Sequence, residues 1–230
     1  MTEQELERIR SAYAARELGG SDPYRWDNPG YVVYMQALER ALLRALRDAG
    51  VPIAGARVLD VGCGSGYFLH RFKEYGAGEC HGIDLIESRI SRARQEYPML
   101  HLQVGAATDL PYDEGAFQLV IQLTCLSSIV DEEVRLAVAR EMRRVARGGA
   151  ILSFDIRPRK FLPRHPERTP TAPLDERELV RLFGTPVVLR TDALAFGFAQ
   201  RTGRWPLLAH GLAALPVLRS HLLGVWRPLD

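Results

Sequence analysis

Asp60, Gly62, Gly64, Gly66 and Asp84 are the residues of this 230-residue chain whose types and spacing could do chemistry. The three glycines alternate directly after the apolar run Val58-Leu59-Asp60-Val61 and before the helical pattern Phe68, Leu69, Phe72. A strand, a glycine turn and a helix bring bare backbone N–H groups and a helix N-terminus against a polar ligand. The spacing selects the ligand. A dinucleotide fingerprint puts glycine at the first, third and sixth positions so that a pyrophosphate can sit on the turn. Here the sixth position is Tyr67, and Asp60 stands two residues ahead of the turn, where a carboxylate would repel a pyrophosphate. A ligand carrying an ammonium group suits it better. Asp84 closes the next apolar run, 18 residues past Gly66. A carboxylate there can accept both hydroxyls of a ribose through charge-assisted hydrogen bonds. The plainer alternatives are a turn that only connects strand to helix, and an aspartate that caps the helix beginning near Glu87.

The elements that must hold these residues alternate along the chain. Strands are expected near 56–61, 79–84, 100–104, 117–122 and 149–155, with helices near 66–75, 87–96 and 132–146, the pattern of a doubly wound parallel sheet. The third of those helices has Asp131, Glu132 and Glu133 at its start and Arg143, Arg144 and Arg147 at its end, matching the helix dipole. Upstream, Thr2 and Glu5 form a capping box for an amphipathic helix, and Asn28 with Pro29 starts another over about 30–49. The loop between them carries Tyr24 and Trp26, which either pin the first helix to the body or close over a ligand. Residues 157–174 hold five prolines together with Arg157 and His165, predicting a long loop at the carboxyl edge of the sheet. Asp175 caps a short helix ending at Gly184, and strands six and seven are expected over 186–194 and 221–226. Between them, 205–218 is an apolar helical stretch broken by Pro216, read as core cover in preference to a hydrophobic wall or a membrane-touching face.

The run V-L-D-V-G-C-G-S-G closely resembles motif I of the class I S-adenosylmethionine (SAM)-dependent methyltransferases. Gly105-Ala106-Ala107-Thr108-Asp109-Leu110-Pro111-Tyr112 is similar to that family's G-D-A-x-D-L-P-F segment, with Ala106 in place of the acid that commonly holds adenine. Phe117-Gln118-Leu119-Val120 resembles its F-D-L-V segment, with Gln118 for Asp and Ser127-Ser128 for the usual histidine or acidic pair. The resemblance covers about residues 55–156. It implies a Rossmann-like α/β fold: a seven-stranded sheet with strands 1–5 parallel, strands 6–7 a hairpin-like pair, and helices on both faces. It divides the chain into an N-terminal helical lid over 1–50 and a methyltransferase domain over 51–230, with a helix inserted around 203–218.

By the same resemblance, Asp60, Gly62, Cys63, Gly64, Gly66, Asp84, Leu85, Ala106, Ala107, Thr108, Gln122 and Leu123 would line the SAM site, which also holds the product S-adenosylhomocysteine. Methyl transfer is an in-line displacement at an already activated carbon, so positioning and exclusion of water matter most. Asp155 and His165 are the candidate bases, and Tyr13, Tyr24, Trp26 and Arg157 the candidate lid or acceptor contacts. For Asp155, His165 and Arg157 a solvated loop position is the alternative. The implied acceptor is a small molecule of natural-product or quinone type.

Composition restricts the rest. A net charge of +2 with scattered arginines, and no N-P-P-Y tetrapeptide, argue against a nucleic-acid partner. No ligand set suggests a metal. Three widely spaced cysteines suggest reduced thiols and a cytoplasmic protein. The charged N-terminus does not read as a signal peptide, and no apolar run is long enough to span a bilayer. The oligomeric state is left open, a homodimer being one option. Two rivals stand beside the methyltransferase reading: a SAM-binding regulator without catalysis, and an NAD-dependent oxidoreductase, against which Tyr67 and Asp60 both speak.

Overall fold

Val58, Leu59, Asp60 and Val61 are all buried, as expected of a strand covered on both faces. In the computed structural model, which describes residues 3–17, 26–158 and 171–228, they form β1 (Val58–Val61). The other strands are β2 (Cys80–Asp84), β3 (His101–Val104), β4 (Leu119–Leu123), β5 (Ala150–Ile156), β6 (Val188–Leu194) and β7 (Arg219–Trp226). They make one sheet in the order β3-β2-β1-β4-β5-β7-β6. Strands β1 to β5 are parallel, while β7 runs antiparallel to both β5 and β6. Strand order reverses between β1 and β4. Open sheets of this kind bind ligands outside the carboxyl ends of the strands at such a reversal.

The helices are α1 (Glu3–Glu17), α2 (Pro29–Asp48), α3 (Tyr67–Glu74), α4 (Glu87–Glu96), α5 (Glu132–Val145), α6 (Glu176–Phe183), α7 (Phe196–Thr202) and α8 (Pro206–Ala213). On one face of the sheet, Leu42 and Leu46 of α2 and Leu69 and Phe72 of α3 pack with Val58, Leu119, Leu152 and Leu223. On the other, Val138 and Met142 of α5 and Leu179 and Leu182 of α6 pack with Leu59, Val120, Ile151 and Trp226. Three starts follow from their capping residues. Asn28 accepts from Gly30 N at 3.0 Å, Asp131 from Val134 N at 3.1 Å, and Asp175 from Glu178 N at 2.9 Å. The expected Thr2 cap lies outside the described residues.

Helix α2 packs into the main core through Leu38, Ala41, Leu42, Ala45 and Leu46. Residues 203–218 hold α8 and a 3-10 turn over Pro216–Leu218, with α7 just before them. Core cover was the wrong reading for the larger apolar residues there: Ala209 is buried, but Leu207 is 90% exposed. An apolar stretch reads as core by composition alone, and α8 turns Ala209 and Leu212 inward while Leu207 and Leu208 face out.

Candidate functional site

The turn after β1 needs glycine for two separate reasons. Gly62, Gly64 and Gly66 have φ of +76°, +53° and +74°, in the left-handed region that other residues avoid. A Cβ at Gly62 would also lie 2.8 Å from Cys125 Sγ and 2.9 Å from Cys125 Cβ. Gly62→Ala is therefore expected to destabilise the fold by about 2–5 kcal/mol, the sum of a left-handed backbone cost and overpacking. Gly55 is the control, because its φ is +73° with nothing within 4 Å of a Cβ. Gly55→Ala should show only the backbone cost, about 1–2 kcal/mol, in urea titrations of both variants.

The expectation of bare N–H groups on this turn is corrected. Gly62 N and Cys63 N donate to Ile83 O at 2.8 and 3.1 Å, Gly66 N donates to Cys63 O at 2.9 Å, and Gly64 N donates to Asp84 Oδ2 at 2.9 Å. The glycine N–H groups thus hold the turn against the end of β2. Cys63 contributes only backbone to the turn surface. Its side chain is buried in the core, and burial pushes its thiol pKa well up.

Asp84 is the hinge of the site. Its Oδ2 takes Gly64 N and its Oδ1 takes Ile86 N at 2.9 Å, so one carboxylate fixes both the glycine turn and the entry to α4. Each oxygen keeps a second lone pair for a ligand hydroxyl. The helix-cap and ligand readings of this residue are therefore compatible. Asp60 is 3% exposed, and its Oδ1 is buried without a hydrogen-bond partner. Burial, then the nearby Asp84 charge, pushes its pKa up to about 8. A buried acid with an unused oxygen is costly unless something bonded to it compensates. A cationic ligand group would.

Around these acids, Leu85, Ala106, Ala107 and Thr108 are half-buried after β2 and β3, and Leu85 also lines an open cleft of about 290 Å³ with Ile86, Val104 and Arg10. Gly105 N donates to Asp84 O at 3.0 Å, which brings the 105–108 segment beside Asp84.

Gln122 and Asp155 are both wholly buried, and the structure gives them a shared task. Gln122 Oε1 accepts from Cys125 N at 3.0 Å and Leu126 N at 3.3 Å, while its Nε2 donates to Ser153 Oγ at 2.5 Å and to Asp155 Oδ2. Asp155 Oδ1 accepts from Ser127 N at 2.9 Å. Together they hold the turn that follows β4, where Thr124 takes φ +62°, a left-handed value at a β-branched residue. Asp155 is wholly buried and hydrogen-bonded, not a solvated loop residue. Burial pushes its pKa up to about 6, opposed by the donors from Ser127 and Gln122. Leu123, half-buried at the end of β4, precedes the strained residue.

Helix α1 is clamped onto this turn. Arg8 donates to both oxygens of Glu5, at 2.7 and 2.8 Å, and to Ser128 O at 2.6 Å, and Glu5 Oε1 accepts from Val130 N at 2.8 Å. The Arg8 guanidinium holds the Glu5 carboxyl below the usual range. Tyr13 lies further along, with its hydroxyl 3.4 Å from Ser128 Oγ and the Arg89 guanidinium 4.3 Å from its ring centroid. Arg89 in turn stands beside the glycine turn at Gly64. Tyr13 is thus placed between the β4 turn and α4.

The opposite rim is aromatic. Trp26 is half-exposed and lies against Tyr67 at 4.9 Å and Tyr31 at 5.1 Å between ring centroids. Phe196 of α7 meets Tyr31 at 6.5 Å and Tyr34 at 5.4 Å; His221 lies 6.2 Å from Tyr34 and stacks on Phe154 at 4.3 Å. Sequence reasoning missed His221 and Phe196. The first reads as an ordinary strand start, and the second lies in a seven-residue helix with no side-chain cap. Arg157 is half-buried at the end of β5, with its N–H donated to Ser220 O at 3.0 Å. Tyr24 and His165 lie outside the described residues.

Residues 58–149 match a family model described as a methyltransferase domain. Ajmaline N-methyltransferase of Rauvolfia serpentina is 37% identical over 102 residues, 41% of this chain and 34% of that protein. The chain therefore spans about a third of that relative's length. Among solved structures, a putative methyltransferase from Haloferax volcanii, seen in complex with a methyltransferase activator, superposes with a TM-score of 0.68 at 18% identity, covering 96% of this chain and 98% of that one. Magnesium protoporphyrin IX methyltransferase from Synechocystis PCC 6803, with bound SAM, gives 0.64 at 14% identity and 97% of both chains.

Proposed function

We propose that this chain, whose residues 58–149 match a methyltransferase-domain model, is a class I SAM-dependent enzyme that transfers the methyl group of SAM to an O, N or C nucleophile of a small molecule of natural-product or quinone type. One observation carries the reading. At the switch point of the sheet an unpartnered buried Asp60 oxygen lies near Asp84, on a turn whose glycine N–H groups are already spent. Such a site repels phosphate and favours a ligand with a cation and hydroxyls. The same chemistry speaks against the NAD-dependent alternative.

SAM supplies an activated methyl on a sulfonium, so the chain's own residues have only to bind, orient and exclude water. Asp60 would pair with the ligand ammonium and Asp84 would accept ribose hydroxyls through its remaining lone pairs. Leu85 and the 106–108 segment would pack against the base. The rim of Trp26, Tyr31, Tyr34, Phe196 and His221 would face a flat, largely apolar acceptor, since aromatic surfaces favour stacking with such molecules. A relative named for ajmaline is consistent with a small acceptor.

Calorimetric titration with S-adenosylhomocysteine, with NAD in parallel, tests the frame. Binding of S-adenosylhomocysteine alone is expected, weakened by about 1.5–3 kcal/mol in Asp84→Ala through loss of hydrogen bonds to a charged group. Binding of NAD alone would overturn the reading. A panel of phenols, amines and carboxylates assayed for transfer from labelled SAM then separates an enzyme from a binding protein.

A further inference from the structure

Residues 193–229 contain no Asp or Glu but include Arg201, Arg204, Arg219 and Arg227, in a chain whose overall net charge is only +2. Exposed apolar side chains concentrate in the same region. Of the eleven large ones exposed among the described residues, five fall within 205–217: Trp205, Leu207, Leu208, Leu215 and Val217. Helix α8 is held in place rather than loose. Its Ala209 packs on Ala199 of α7, with Val33, Tyr34 and Leu218 around them. Arg219 Nε donates to Ala213 O at 2.9 Å and its Nη1 to Thr191 O at 3.1 Å, tying the end of α8 to β6. The outward leucines are therefore presented by a fixed scaffold, and Arg201 and Arg204 beside them are exposed.

We propose that α8 and its flanking Trp205, Leu215 and Val217 dock onto an anionic lipid surface. Exposed leucines on α8 with Arg201 and Arg204 just ahead of it, in a segment without acids, combine an apolar face with a cationic border suited to the headgroup region, and Trp favours that depth. No helix among the described residues is long and apolar enough to cross a membrane, so the contact is interfacial. Charge argues against a second copy on this face. A two-fold pair would set this face against itself, and residues 193–229 offer no acid to pair with Arg201 and Arg204. Anionic headgroups neutralise the same arginines. The proposal does not depend on methyl transfer.

The test is flotation of the full chain with vesicles of phosphatidylcholine alone and of phosphatidylcholine mixed with phosphatidylglycerol. Binding to the mixed vesicles only, released by added salt, is expected. Arg201→Gln and Arg204→Gln should each weaken it by about fivefold. Leu207→Glu combined with Leu208→Glu should abolish it while leaving circular dichroism and S-adenosylhomocysteine binding unchanged. The proposal is overturned by no flotation with either vesicle, by equal binding to both, or by unchanged binding of the double leucine variant. A concentration-dependent dimer in sedimentation velocity that the leucine variant dissolves, without vesicle binding, would assign the surface to a second copy instead.

Discussion

Titrated at rising pH, S-adenosylhomocysteine is expected to bind about tenfold more tightly per pH unit until pH reaches about 8, where Asp60 titrates. Below that pH the buried Asp60 carboxyl holds a proton that must leave before it can pair with the ligand ammonium. Binding should therefore release one proton, visible as a binding enthalpy that depends on the buffer. Above that pH the affinity should level off, since Asp60 is then already ionised and the ligand's free amino-acid ammonium keeps its charge to higher pH. Asp60→Asn should flatten the acid limb and weaken binding on the plateau by about 1.5–3 kcal/mol.

Stability of the ligand-free protein should move the other way. Because the folded pKa of Asp60 is raised above its ordinary 3.8 to about 8, the folded state holds the proton more tightly than the unfolded chain. The associated stability is complete below the ordinary value and is lost as pH rises through about 8. Asp60→Asn removes that loss, so at alkaline pH the variant should melt at or above the parent while binding ligand worse. A purely structural Asp60 would lose stability and binding together. A flat affinity profile in the parent would remove the ion pair from the site.

The order of strands and helices was legible because each core strand is a short apolar run closed by a turn signal, as in Val58–Val61, and several helices announce their caps, as Asn28, Asp131 and Asp175 do. The glycine turn and Asp84 were legible for a related reason: their spacing along the chain is also their spacing in the fold, across one strand-helix-strand unit. Asp155 was not. It sits in the run Ile151-Leu152-Ser153-Phe154-Asp155 and gains meaning only when Gln122 from β4 and Ser127 from the following turn meet it. No periodicity records a three-segment contact of that kind. Exposure of α8 was hidden by the opposite fault, since composition tells how apolar a stretch is but not which side faces solvent. The spent N–H groups of the glycine turn were invisible as well, because the partner that takes two of them, Ile83 O, is a backbone atom.

Asp155→Ala should cost about 2–6 kcal/mol of folding stability, because it strands two buried donors, Ser127 N–H and the Gln122 amide, each worth about 1–3 kcal/mol when unpaired. Asp155→Asn is more informative. Its carbonyl oxygen can still take Ser127 N–H, but its amide then faces the Gln122 amide, donor against donor, and the cost should be about 1–3 kcal/mol. Adding Gln122→Glu restores complementarity. One glutamate oxygen keeps the bonds from Cys125 N and Leu126 N that Gln122 Oε1 now accepts, and the other accepts from the asparagine amide, so the charge has only moved across the pair. The double variant should recover at least half of the single loss in urea unfolding, a coupling that two independent core substitutions would not show. Cofactor affinity should follow stability in this series, since the network acts on the ligand only by holding the Thr124 turn. If Asp155→Asn instead left folding and S-adenosylhomocysteine binding intact and abolished methyl transfer alone, Asp155 would be the proton acceptor after all, and the turn would have to open for it to reach the acceptor.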